Sequence, residues 1–148
     1  MNWLGFIVFV VAANFYIWNG KDRFNKKEWI ALFIKFISVL ASVFILIFLV
    51  VSLKRIFPTI TKETMKEIVI FLPPSLMTLL LLKFFVVMLC AIFDNIMRFH
   101  KNYNTAENYS RLSAIVNKYG PKLQVAAKCL ASIGSVLMLY GIWFGANV

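Results

Sequence analysis

The sequence predicts an all-α integral membrane protein built as a four-helix bundle, and three observations carry that prediction. Of 148 residues, 61% are hydrophobic and only 15% charged, with a mean hydropathy of +0.82. A soluble domain of this length has too little interior to hide so much apolar surface. The apolar residues also fall into four runs, three of which reach the ~20 residues a helix needs to cross a ~30 Å hydrocarbon core. Finally, the charges gather between the runs. A net charge of +10 would otherwise point to nucleic acid. Basic residues confined to short loops are instead what the positive-inside rule and anionic headgroups select, so the expected partner is a lipid bilayer and no nucleic acid is expected.

The first run, residues 3–18, is short, but Trp3 and Trp18 mark its ends, and tryptophan favours both membrane interfaces. No basic residue precedes it, whereas Lys21, Arg23, Lys26 and Lys27 follow, which is the reverse of a secretory signal. It reads as a retained anchor with its N-terminus outside. The second run covers 29–53. After it, "TKETMKEIVIFLPP" places Met65, Ile68, Val69 and Leu72 on one helical face and predicts a short amphipathic helix before the third span. Pro73-Pro74 is expected to bend the chain there, with a kinked, longer third helix as the alternative.

The third span is expected over 75–97 and the fourth over 123–145. Between them, Asn104 and Glu107 are spaced to cap a short cytoplasmic helix through "YSRLSAIVNKY", ending at Gly120-Pro121. Residues 1–148 thus form a single transmembrane domain. With loops one and three in the cytoplasm, nine basic residues lie inside: Lys21, Arg23, Lys26, Lys27, Arg98, Lys101, Arg111, Lys118 and Lys122. Four (Lys54, Arg55, Lys62 and Lys66) lie outside. This balance predicts the inner membrane with both termini outside.

Polar residues inside the spans are the candidate functional residues, because each is costly in hydrocarbon and usually faces protein or a wet cavity. They are Asn14, Lys35, Lys83, Asp94 and Lys128. On a helix Lys83, Val87, Cys90, Asp94 and Met97 share one stripe. Lys83 and Asp94 lie ~16 Å apart along it, too far to pair. Asp94 has Arg98 four residues on. Across helices, Lys35 or Lys128 are its expected partners in a polar cluster at the inner leaflet, the alternative being that both lysines snorkel to the headgroups.

Small residues recur along the fourth span at Ala127, Ala131, Gly134, Gly141 and Gly145, with Met138 in the same row. Close backbone approach is a principal source of attraction between helices in lipid, so this seam predicts tight packing and a homo-oligomer. The sequence leaves open whether the seam lies within one subunit or between subunits.

Chemistry is sparse. His100 is the lone histidine, and Cys90 and Cys129 sit singly in apolar runs, so no metal, haem or other cofactor is expected. No phosphate loop or Ser-His-Asp set is visible, and no enzymatic activity is expected. The expected role is a membrane anchor or sensor subunit whose third loop docks a cytosolic protein through Arg98, Lys101, Tyr109, Arg111, Leu112 and Lys118. The abundance of Phe, Ile, Lys, Asn, Tyr and Met suggests an AT-rich, bacterial gene, and a phage-defence or toxin-immunity system is the expected context for a small membrane chain of that origin. The alternative is a homo-oligomeric channel with Lys83 lining an anion-selective pore.

Overall fold

The computed structural model describes residues 2–56 and 62–145, with side chains at all of these except 2, 54, 56 and 62–68. Every regular element in it is helical: α1 (Asn2–Asn19), α2 (Lys26–Ile56), α3 (Lys62–Tyr103) and α4 (Ala106–Phe144). Three helices are long and apolar enough to cross a membrane, over Lys26–Leu53, Val69–Tyr103 and Ala106–Phe144. α1, with 18 residues, is the shorter apolar helix, about 27 Å long at 1.5 Å per residue.

Local chemistry sets the helix starts. At α2 the Asn25 side chain accepts from the Glu28 amide at 2.9 Å, while the Glu28 carboxylate accepts from the Asn25 amide at 2.8 Å. This reciprocal capping box satisfies two amides that the first turn leaves unpaired. At α4 the cap is Thr105, whose hydroxyl accepts from the Asn108 amide at 3.4 Å. The expected Asn104 cap is displaced by one residue, since the Asn104 amide still bonds to His100 O at the end of α3.

The two proline-marked breaks expected from the sequence do not occur. Pro73 and Pro74 lie inside α3, and Pro121 lies inside α4. The two short helices expected before the third and fourth spans are therefore opening turns of those same helices. Proline's fixed φ is itself helical, so its cost is a lost hydrogen bond and crowding, which neighbouring groups can offset. The contacts of α3 with α1, α2 and α4 supply that offset here, while the Ser75 and Thr78 hydroxyls fold back on the helix, donating to Phe71 O at 2.6 Å and Pro74 O at 2.9 Å. The apolar face assigned to Met65 and Ile68 falls outside the described side chains.

α1, α3 and α4 pack on one another, whereas the α2 backbone approaches α3 alone among the described helices. Gly5 faces Trp143, and Ile17 accepts from Lys83, so α1 runs parallel to α3 and antiparallel to α4. Trp29 and Phe36 both meet Phe84 edge-on, placing the start of α2 beside the middle of α3. The core of Ile17, Leu82, Val86 and Ala131 sits where α1, α3 and α4 converge. At the opposite end the Trp143 ring stacks on Phe71 with centroids 5.0 Å apart and donates its indole N–H to Ser75 Oγ at 3.1 Å.

The α1–α2 loop reaches α3 near Lys83 and α4 near Lys128. From there α3 continues to Tyr103 and α4 begins at Ala106, about 30 Å away at 1.5 Å per residue. A two-helix hairpin thus overhangs the rest of the bundle. Along α3 an exposed strip of Phe85, Leu89, Ile92, Ile96, Phe99 and Tyr103 runs from the level of the clasp out onto this hairpin.

Candidate functional site

The most highly charged buried site is organised by Asp22, in the loop that follows α1. The Lys83 amine donates to Asp22 Oδ1 at 3.0 Å and lies 3.5 Å from Ile17 O. Lys128 meets Asp22 Oδ2 at 2.6 Å, and the Gln124 amide donates to the same oxygen. Lys83 is 1% exposed and Lys128 8%. Two buried lysines therefore share one carboxylate of the loop, on which one residue of α3 and two of α4 converge. Gly20 makes the approach possible: a Cβ there would lie 2.9 Å from both Cε and Nζ of Lys83. Trp18 closes the side, its ring 5.7 Å from the Lys128 amine and its indole N–H on Ser132 Oγ at 3.1 Å.

Burial pushes the Asp22 carboxyl up, but hydrogen bonds from Lys128 and Lys83, reinforced by their charge, outweigh burial and hold it below the usual carboxylate value. Around this centre lies an exposed ring of pairs: Arg23 with Asp94 at 3.1 Å and Lys21 with Glu28 at 2.8 Å. No buried side-chain nitrogen or oxygen among the described residues lacks a hydrogen-bond partner. The arrangement is a clasp that ties the first loop to α3 and α4 with a net positive charge.

The residues singled out from the sequence are distributed unevenly over this clasp. Lys83 and Lys128 belong to it. Asp94 does not, for its carboxylate bonds Arg23 of the first loop and neither Lys35 nor Lys128. The reason is reach: the overhanging part of α3 carries Asp94 past the layer where the lysines meet. Asn14 turns back on its own helix, donating to Val10 O at 2.9 Å. Lys35 places its amine 5.9 Å from the Tyr16 ring centre. Asp94→Asn is accordingly expected to cost only about 0.2–1 kcal/mol, the range for exposed ion pairs. Denaturation of the variant in detergent checks this, and a loss of several kcal/mol would put Asp94 in the core network after all.

The small-residue seam divides. Ala127 and Ala131 are buried, joined by Ser135 and Leu139 one turn at a time. A Cβ at Gly134 would sit 3.7 Å from Leu82 of α3, whereas at Gly141 or Gly145 it would meet nothing within 4 Å. The near half of the seam is used within the chain, and the GxxxG half is open. On the hairpin Arg98, Lys101, Arg111 and Lys118 are exposed, while Tyr109 and Leu112 are half-buried. Arg111 is held by Glu107 at 2.7 Å.

Among the described residues no group of three His, Cys, Asp or Glu side chains could hold a metal ion. Hydropathy does not single out Asp22, because it lies in the loop between α1 and α2 and outside the apolar runs. The signal was present: a central lysine needs a counter-charge, and Asp22 is an acid three residues beyond α1. The chain matches no protein-family model, no curated protein and no solved structure.

Proposed function

We propose that this is a multi-pass inner-membrane protein, with both termini outside, that serves as a non-enzymatic anchor or sensor subunit for a cytosolic protein. The observation that carries the reading is the overhanging α3–α4 hairpin. The exposed apolar surface of α2, from Ile30 to Leu53, is about 35 Å long at 1.5 Å per residue and suits the bilayer. The Asp22 clasp and the loop basic residues fall at one edge of it, which is the natural level for headgroups. Ile92, Ile96, Phe99 and Tyr103 then stand beyond lipid yet stay exposed. A row of apolar side chains in water, flanked by Arg98 and Lys101, is the usual signature of a protein-binding surface.

The open Gly141–Gly145 face supports self-association as a second feature of the same protein. A place in a bacterial phage-defence or toxin-immunity system fits an anchor of this size. The pore reading is weaker, because the Lys83 amine is engaged by Asp22 inside one chain instead of facing a shared axis.

The test is to purify the chain from its host in mild detergent, weigh the intact assembly and identify attached proteins. A cytosolic protein at fixed stoichiometry is expected, lost on Ile96→Glu with Phe99→Glu while the bundle stays folded. If no protein is attached, or if it stays attached to the double variant, the reading fails.

A further inference from the structure

Among the described residues the α1 and α2 backbones do not approach each other, and each packs on α3. The gap is a cleft of about 310 Å³, floored by Leu76, Leu79 and Leu80 of α3 and walled by Tyr16 on one side and Ser38 and Val39 on the other. Lys35 lines it too, and a smaller recess of about 110 Å³ that shares Tyr16 and Lys35 continues towards Phe24 and Glu28. The main cleft is of the size that holds small ligands, ~300 Å³ and above.

Its polarity is graded. Lys35 makes no ion pair among the described residues, in contrast to Lys21, Lys83 and Lys128. Its amine lies by Tyr16, and the next residue, Ile17, takes the Lys83 amine on its carbonyl. Lys35 therefore presents its charge at the level of the Asp22 clasp, where two lysines face one carboxylate. Glu28 is already neutralised by Lys21 at 2.8 Å. Away from that level the cleft is lined by leucine and valine, with Ser38 the single polar exception. A positive mouth above an apolar slot is complementary to an amphiphile with an anionic head.

We propose that this cleft binds an anionic phospholipid, its phosphate on the Lys35 amine and one acyl chain lying along Leu80, Leu79 and Leu76. The site rests on the membrane reading given above but not on the hairpin or its partner. An interfacial lysine is worth about 1 kcal/mol towards an anionic lipid surface, or about fivefold in affinity.

Native mass spectrometry of the full chain in mild detergent, titrated with phosphatidylglycerol or with phosphatidylcholine of the same acyl chains, tests it. One phosphatidylglycerol per chain should be retained in preference to phosphatidylcholine. Lys35→Gln, at an exposed position, should weaken phosphatidylglycerol about fivefold and phosphatidylcholine, whose phosphate is offset by its own ammonium group, much less. Leu79→Trp should fill the slot and weaken both. Equal retention of the two lipids, or an unaltered preference in Lys35→Gln, would mean that Lys35 only snorkels and would overturn the site. Displacement of the lipid by millimolar inorganic phosphate would overturn the lipid assignment in favour of a free-anion site. Attachment of the cytosolic protein is read separately, on hairpin variants, so either proposal can fail without the other.

Discussion

Asp22→Asn should destabilise the protein by about 3–5 kcal/mol, the cost of removing one partner from a buried ion pair. The substitution keeps the shape of the side chain, removes its charge and turns one of its two acceptor oxygens into a donor. What it leaves behind is Lys83, 1% exposed, and Lys128, both without a carboxylate. Lys128 has a short path to the surface. Lys83 has none, with Gly20 and Ile17 closed over its amine. Adding Lys83→Met should recover much of the loss, because apolar replacement of a buried ion pair is often close to neutral. Unfolding of the two variants and the parent in the same detergent decides it. A single variant as stable as the parent would show that the clasp contributes nothing.

The same carboxylate sets a pH dependence whose sign follows from its lowered pKa. A carboxyl whose folded value lies below its unfolded one adds stability in full above the unfolded value, about 4. That contribution is lost as pH falls below about 4, through the folded value. Asp22→Asn should flatten this acid limb. An acid limb of unchanged depth in the variant would assign it to other carboxylates.

The contrast between Asp22 and Asp94 shows what the sequence could and could not convey. Hydropathy alone located the apolar part of each of the four helices, and it did not show that α3 and α4 start as far upstream as Lys62 and Ala106. The burial of Lys83 was also legible, since a lysine amid leucine and phenylalanine must face protein or water. Its partner was not, because pairing depends on the height at which a loop meets a helix. Asp94 lies eleven residues beyond Lys83 on α3, and because α4 already begins at Ala106 its Lys128 comes level with Lys83, where Asp22 reaches both. The length of α3 was itself hidden by Pro73-Pro74, where local proline chemistry argued for a break. Packing of α3 against α1, α2 and α4 overrode it.

The glycines of α1 and α4 should respond in opposite ways to the same methyl group. In a helix Ala is favoured over Gly by up to about 1 kcal/mol, so propensity alone predicts stabilisation at both Gly5 and Gly141. Packing reverses the sign at Gly5, where a Cβ would overlap the six-membered ring of Trp143. That ring cannot swing aside cheaply, because it stacks on Phe71 at 5.0 Å and bonds Ser75 Oγ at 3.1 Å. Gly5→Ala should therefore cost about 1–3 kcal/mol, as over-packing does, and the loss should be independent of protein concentration. At Gly141 nothing lies within 4 Å of the added carbon, so the folded chain should be indifferent to Ala or slightly stabilised. Only a second helix laid against the GxxxG face would feel a larger residue there. Gly141→Leu should then leave the unfolding of one chain unchanged while dissociating the assembly, read as a fall in intact mass. If the mass stays the same, the open half of the seam faces lipid, and self-association must use another surface.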